Sequence, residues 1–317
     1  MTMRVGILAG GWNSEREVSI SSSKMVEKAL KKKRYHTIFI DVTQDLSDLI
    51  KIIASEKIDI IFNGLHGTMG EDGTIQGVLD YLNIPYTHSG LTASAIAMDK
   101  YVTKNILKNH ALSLPKHDYV QTTQFKSYTP TFEGPYVLKP NSSGSACGVH
   151  IEKSNALSSN QISEYANIFS THPEIYGSDI LVEEYIPGLE LTVGILDNKP
   201  LTVTNIIAHR EFYNYEAKYA AGGSSHEIPA NIPQSIFDQA MKDALTAHQA
   251  INIHYLSRVD FRYNPLNEQL YFLEINTQPG LTQTSLFPEQ AEYCGISFET
   301  LIDLITKNTK HGVRSNV

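Results

Sequence analysis

Cysteine is nearly absent: the 317 residues carry two, Cys147 and Cys294. That excludes a disulfide framework and any cysteine-based metal site, and isolated thiols are ordinarily small apolar residues. Long apolar runs are also missing. Near the start, Val5 to Ala9 gives way at once to Gly10 and Gly11, too short for the apolar part of a signal peptide. No stretch reaches the length of a membrane span. Basic charge is in deficit, with 26 Lys and Arg against 34 Asp and Glu and a net charge of −8. This argues against general nucleic-acid binding and leaves room for a local basic cleft that takes phosphates. There is a single tryptophan, Trp12, with no low-complexity tract and no internal repeat. What remains, 41% hydrophobic and 19% charged, is the composition expected of a soluble cytoplasmic protein of two or three domains.

The chain opens as strand, tight turn, helix, strand. Arg4 to Ala9 is a short apolar strand, and Ser14 with Glu17 can form a capping pair for a helix running to Lys33. A strand at Tyr35 to Val42, a helix at Leu46 to Glu56 and a buried strand at Ile58 to Phe62 follow. This alternation predicts a doubly wound parallel sheet, whose ligands bind at the carboxyl ends of the strands. Two loops fall there, Gly10 to Glu17 and the glycine-rich Asn63 to Gly73 with His66. By itself His66 reads as a loop histidine bonded to backbone. The first domain is expected to end near Met98.

Further on, a strand Tyr136 to Pro140 ends in Lys139-Pro140 and runs into the small-residue loop Ser142 to Gly148. Such a loop can close over phosphates with its backbone and hydroxyl donors, or it is a plain hairpin turn. It is not a Walker A loop, because the lysine precedes the glycines. On a strand from Ile180 to Ile186, Glu183 and Tyr185 share a face, with Glu190 just after the turn. An amphipathic helix is predicted at Ile236 to Asn252 and a last helix at Phe298 to Lys307.

Two strands joined by a turn, Arg258 to Asn276, carry the densest chemistry. Alternation puts Arg258, Asp260 and Arg262 on one face, and on the second strand Phe272, Glu274 and Asn276 on one face, with Tyr271, Leu273 and Ile275 on the other. A register symmetric about Asn267 sets Asp260 opposite Glu274 and Arg258 opposite Asn276. Two carboxylates this close are costly unless a cation lies between them. Hard oxygen donors of this kind suit Mg²⁺, which commonly bridges carboxylates and nucleotide phosphates. The bland alternative is an exposed hairpin with an acidic face.

Taken together, GGWNSEREVS, LHGTMGEDGTIQG, SAIAMDK, YVLKPNSSGSACGV, VEEYIPGLELTVGIL, YNYEAKY, and RVDFRYN with FLEINTQPGLTQTSL stand in an order and spacing that resemble the D-alanine–D-alanine ligases of the ATP-grasp superfamily. The likeness runs from about Val5 to Leu304. It implies an α/β fold of three domains, an N-terminal substrate domain (1–98) with the parallel sheet, a central domain (99–182) and a C-terminal domain (183–317), with ATP between the last two.

The resemblance also implies roles. Lys100 and Lys139 would contact ATP phosphates, Glu183 would accept from the adenine amino group, Tyr185 would lie against the ring and Ile186 would offer it backbone. Glu190 would hold the ribose hydroxyls, and Phe212, Ser145 and Lys218 would complete the nucleotide site. Asp260, Glu274 and Asn276 would hold two Mg²⁺ ions, with Mn²⁺ able to substitute. Glu15 would hold the ammonium of the first D-alanine, with His66 near its carboxylate. Arg258 and the N–H of Gly280 would stabilise the oxyanion, and Ser285 and Leu286 would bind the carboxylate of the second D-alanine. Glu15, Ser145 and Tyr219 would link the domains when the site closes, and Tyr219 belongs to the dipeptide-forming type. A homodimer is implied. Two positions depart from the family pattern: bulky Trp12 follows the first glycines, and SACGV stands where SSVGV is usual, placing Cys147 by the cleft as a candidate modifiable thiol.

Overall fold

The computed structural model describes residues 2–144, 147–208, 223–282 and 284–309. Ser145, Phe212, Lys218 and Tyr219 therefore lie outside the described residues.

The first sheet is parallel. Strand β1 (Arg4–Gly10), helix α1 (Arg16–Lys32), β2 (His36–Val42), α2 (Leu46–Ser55), β3 (Ile60–Asn63), α3 (Thr74–Tyr81) and α4 (Leu91–Met98) succeed one another, and the strands lie in the order β2-β1-β3. Helices cover both faces, as the alternation predicts. Val26 and Leu30 of α1 pack on Val5, Ile7 and Phe62, while Leu49 and Ile53 of α2 and Leu79 of α3 pack on Leu8, Ile40 and Ile61. One expectation fails here: Ser14 and Glu17 do not cap α1. Its N-cap is Glu15, and no side chain caps it. Instead Asn13 Oδ1 accepts from the Glu15 N–H at 2.9 Å, so the chain enters the helix through an Asx turn.

The second sheet is antiparallel. After α5 (Lys100–Leu107) come β4 (His117–Gln121), β5 (Tyr136–Pro140), β6 (His150–Glu152), α6 (Ser159–Thr171), α7 (Pro173–Tyr176) and β7 (Asp179–Glu184), in the order β4-β7-β5-β6. β7 runs on past residue 182. Helix α6 begins with a capping box between Ser158 and Gln161 and buries Ile162 and Phe169 against Tyr136, Leu138 and Val182.

The third sheet is antiparallel and five-stranded, β10-β9-β8-β11-β12. Its strands are β8 (Leu189–Leu196), β9 (Lys199–Ala208), β10 (Ser224–Glu227), β11 (Leu256–Asn264) and β12 (Gln269–Asn276), with helices α8 (Gln234–Ala250), α9 (Leu286–Tyr293) and α10 (Phe298–Lys307). One face takes Ile236, Ala240 and Ala244 of α8 together with Ala97 and Leu107 of α4 and α5. Helix α10 packs away from this core, placing Leu301, Ile302 and Ile305 against α1 and β1. Among the described residues no helix is long and apolar enough to cross a membrane.

The hairpin of β11 and β12 has the expected register where it matters: Arg258 pairs with Asn276 and Asp260 with Glu274. Beyond that point Phe261 pairs with Phe272, so Leu273 is an extra residue on β12. A bulge of this kind turns every following side chain over. The face reading for β12 is corrected accordingly. Leu270, Phe272 and Ile275 all face the core, and Phe272 does not share a face with Glu274 and Asn276.

Candidate active site

At the carboxyl ends of β1 and β3, the two predicted loops meet. Asn13 Nδ2 donates to the carbonyls of His66 at 2.7 Å and Thr68 at 2.9 Å, tying the loops together. The buried carboxylate of Glu15 lies against Gly67, whose φ is +68° and where a Cβ would come within 2.2 Å of Glu15 Oε2. Only glycine tolerates both the conformation and the approach. A Cβ on Gly144 would also meet Glu15 Oε2, at 3.3 Å, so the loop after β5 of the second sheet reaches this acid.

His66 is buried, and its Nδ1 lies 3.0 Å from Glu71 Oε1. Burial opposes charge on this ring, but the hydrogen bond and charge of Glu71, with Glu15 adding, leave its pKa raised above the usual histidine value. A histidine whose folded pKa exceeds its unfolded value of about 6.5 stabilises the fold below that pH. The contribution is lost as pH rises through the folded value. A proton NMR titration should place the His66 midpoint above that of an exposed imidazole, and Glu71→Gln should bring it down. An unmoved midpoint in the variant would refute the Glu71 assignment.

Lysines line the next part of the cleft. Asp99 caps α5 through the Val102 N–H at 2.9 Å, which sets Lys100 at the first turn. Lys100 Nζ donates to the Ser143 carbonyl at 2.6 Å and lies 3.3 Å from Glu274 Oε2. Lys139, at the end of β5, forms an ion pair with Glu183 of β7. A further lysine, Lys104, is fully buried, 2.8 Å from Glu183 Oε1, with its Nζ 5.5 Å from the centre of the Phe272 ring. Burial pushes Lys104 down to about 8 despite Glu183. Burial also opposes ionisation of Glu183, but the charges of Lys104 and Lys139 outweigh it and hold the carboxyl low, at about 2. Glu183, which the family resemblance assigns to the adenine amino group, lines the cleft and is also the shared counter-ion of Lys104 and Lys139.

On the hairpin, Arg258 Nε and Nη2 donate to the two oxygens of Asp260 at 2.9 and 2.8 Å. Thr192 Oγ1 of β8 donates to Asp260 Oδ1 at 2.6 Å, and Asn276 Nδ2 to Oδ2 at 3.3 Å. Arg262, one alternation further on, orders the far end of the cleft. Its Nε donates to the Ile186 carbonyl at 3.1 Å, its Nη1 lies 3.5 Å from Glu190 Oε2, and its guanidinium carbon sits 5.9 Å from the Tyr185 ring centre. A cavity of about 540 Å³ runs between the second and third sheets. Lys100, Lys139, Glu183, Glu190, Asp260 and Glu274 all line it. That volume is within the range of small-ligand sites. Cys147 also lines it, and burial, with the charge of Glu15, pushes its thiol up. A raised thiol is a poor nucleophile, so the cleft does not activate Cys147.

The loop after β12 turns back on itself. A Cβ on Gly280 would lie 2.9 Å from Ser285 Oγ. Ser285 Oγ accepts from the Thr282 N–H at 3.0 Å, and Leu286 begins α9. No helix is predicted here from the sequence. A helix N-terminus presents free N–H groups to a carboxylate. Gln290 pins α9 to the sheet: its Oε1 accepts from the Gly194 N–H at 2.6 Å, and its Nε2 donates to the Thr192 carbonyl at 3.0 Å and to Thr204 Oγ1 at 2.9 Å.

The profile described as "D-ala D-ala ligase C-terminus" matches residues 105–307, and that described as "D-ala D-ala ligase N-terminus" matches residues 47–89. A protein of Gluconobacter oxydans (strain 621H) named "D-alanine--D-alanine ligase" is 43% identical over 96% of this chain and 98% of its own length. One of the same name from Acidiphilium cryptum (strain JF-5) is 45% identical over 96% of this chain and 98% of its length. The chain belongs to the D-alanine–D-alanine ligase family. The crystal structure of the Bacillus anthracis ligase complexed with ATP superposes with a TM-score of 0.80, at 32% identity over 97% of each chain.

Several residues of this ligase-family site were not singled out from the sequence: Glu71, Lys104, Thr192, Arg262 and Gln290. Glu71, within the glycine-rich loop, and Arg262, on the same alternation as Arg258 and Asp260, had a local signal. The other three act through contacts between distant segments and leave none.

Proposed function

We propose that this protein joins two molecules of D-alanine into D-alanyl-D-alanine using ATP, through an acyl phosphate, releasing ADP and phosphate for peptidoglycan precursor synthesis. The observation that carries the reading is a convergence of loops. Glu71 of the first loop pair, Lys100, Ser143 and Gly144 of the second sheet's loop, and Glu274 and Asn276 of the hairpin line one small cavity beside the main cleft. On this reading the three sheets correspond to three domains, about 1–98, 99–182 and 183–317, with the ATP cleft between the last two.

The γ-phosphate passes to the first D-alanine carboxylate, and the second amine then displaces phosphate from that carbonyl. Two anions must approach, so the path needs cations along it. Lys100 and Lys139 supply point charges where the phosphates would lie. Glu15 suits the first substrate's ammonium, with His66 beside its carboxylate. Arg258 and the Gly280 N–H suit the oxyanion, and the start of α9 at Ser285 and Leu286 suits the second carboxylate. Phe212, Lys218, Tyr219 and Ser145 are proposed for the nucleotide side and the closure on the resemblance alone.

The donor set fits Mg²⁺: Asp260 and Glu274 are cross-strand neighbours, both open to the cavity, with the Asn276 amide beside them. Two carboxylates and an amide leave coordination positions for phosphate oxygens and water, as Mg²⁺ prefers. Bound there, Mg²⁺ or Mn²⁺ would neutralise the transferring phosphoryl group. Arg258 holds both oxygens of Asp260 in the described structure, so it must yield one of them for this role.

Incubation with Mg²⁺-ATP and D-alanine should release ADP and phosphate together with the dipeptide, with L-alanine inert and D-lactate a poor acceptor. No D-alanine-dependent turnover would refute the reading. Assembly as a homodimer belongs to the same proposal, and sedimentation velocity would check it.

A further inference from the structure

The loop that carries His66 and the loop that carries Gly280 come from opposite ends of the sequence, yet a buried amide network joins them. Asn63 Nδ2 donates to Gln278 Oε1 at 2.9 Å, across 215 residues of chain. Gln278 Nε2 donates to the carbonyl of Leu65, the residue before His66. Asn63 Nδ2 also donates to the Gly70 carbonyl at 2.9 Å, and its Oδ1 accepts from the Leu65 N–H at 3.2 Å. Gln76 Nε2 donates to the same Gly70 carbonyl at 2.8 Å, and the Asn63 N–H donates to Thr87 Oγ1 at 3.0 Å. Asn63, Gln76, Thr87 and Gln278 are all buried. Gln278 itself stands between Asn276 of the hairpin and Gly280.

The network is specific for its purpose. An amide side chain offers donors and an acceptor on two separate atoms at one end, so it can bridge two partners at once. Asn63 and Gln278 each use both, and each bonds backbone of the 64–70 loop. Buried and satisfied, such groups hold one arrangement, because every alternative leaves a polar atom without a partner. A purely structural link would serve anywhere along the interface of the first and third sheets. This one lies between the two loops that the ligase reading assigns to the two substrates.

We propose that Asn63 and Gln278 are positioning residues. They fix the His66 loop against the Gly280 loop, so that the acyl phosphate formed on the first D-alanine meets the second amine before it meets water. The inference rests on the ligase reading. When the registry is loosened, water attacks the acyl carbon, the C–O bond to phosphate breaks, and D-alanine and phosphate are released without dipeptide.

Gln278→Met removes both side-chain hydrogen bonds at nearly constant volume. The expected result is a fall in kcat of about 10-fold or more, an unchanged KM for ATP, and a ratio of phosphate released to dipeptide formed that rises above the wild-type value. Gln278→Glu keeps the acceptor for Asn63 but turns a carboxylate oxygen toward the Leu65 carbonyl, and should shift the same ratio in the same direction. It carries the test if the methionine variant does not fold. Hydrogen exchange followed by mass spectrometry should show faster exchange across 64–70 in either variant. A folded variant with the wild-type ratio, kcat and KM for D-alanine would overturn the proposal. If the wild-type protein turned over no D-alanine, the ligase reading would fall. The exchange measurement would then decide the linkage on its own, with unchanged protection of 64–70 overturning it.

Discussion

Glu274→Ala should lower D-alanine-dependent ADP release by on the order of 10³-fold or more while the protein stays folded. The two effects separate because of where the side chain lies. Glu274 is 23% exposed, lines the cavity, and its ion pair with the buried Lys100 is 3.3 Å long. Lys100 keeps its hydrogen bond to the Ser143 carbonyl at 2.6 Å when this half-open pair is lost, so the unfolding midpoint moves less than for a fully buried pair. The activity loss is large because, on the proposed reading, the cation that would neutralise the transferring phosphoryl group would be held by one carboxylate in place of two. Activity assays and urea unfolding on the same preparation measure both. A variant that retained even a tenth of the wild-type rate would refute the assignment.

Glu183→Leu should do the opposite and act first on the fold. Glu183 is buried between Lys104 and Lys139, and the leucine leaves the two ammonium groups facing each other without a counter-ion. Breaking a buried ion pair from one side costs about 3–5 kcal/mol, mostly as the desolvated charge left behind. Lys104→Met should cost less, because Lys139 still neutralises the carboxylate. The pH dependence follows from the depressed carboxyl. Its contribution is present above the unfolded glutamate value of about 4.3 and is lost as pH falls through the folded value of about 2. Urea unfolding of both variants at neutral pH tests the order. A Glu183→Leu loss under about 1 kcal/mol would mean that the pair is as weak as a surface one.

The parallel sheet was legible because β1, β2 and β3 are apolar strands separated by glycine loops and amphipathic helices. The metal-side register was legible because a turn at Asn267 and strict alternation leave few ways to pair Arg258–Asp260 with Glu274–Asn276. The bulge at Leu273 was not, since nothing in Leu270 to Asn276 marks an extra residue; it is set by how Phe261 and Phe272 pack in the third core. Helices α4 and α9 were missed for a different reason. Each has eight residues, too short to show a period, and α4 is apolar nearly all round. Glu183 shows the limit at the site itself. The buried Lys104 that engages it lies on α5, distant in sequence, and nothing local marks the pair. The Asn63–Gln278 contact is invisible to any local reading.

Helix α10 has a consequence for how the molecule forms. Leu301, Ile302 and Ile305 complete the core under β1 and α1, Lys32 pairs with Glu299 at 2.6 Å, and Tyr35 donates to Asp303 at 2.7 Å. Those partners are separated by 267 and 268 residues. During synthesis, β1 and α1 emerge early and already pack on each other through Val5, Ile7 and Leu30, but α10 reaches them only after both other sheets have been made. The surface that takes Leu301, Ile302 and Ile305 is therefore among the last to be sealed, and a nascent chain at that stage is the form a chaperone would hold.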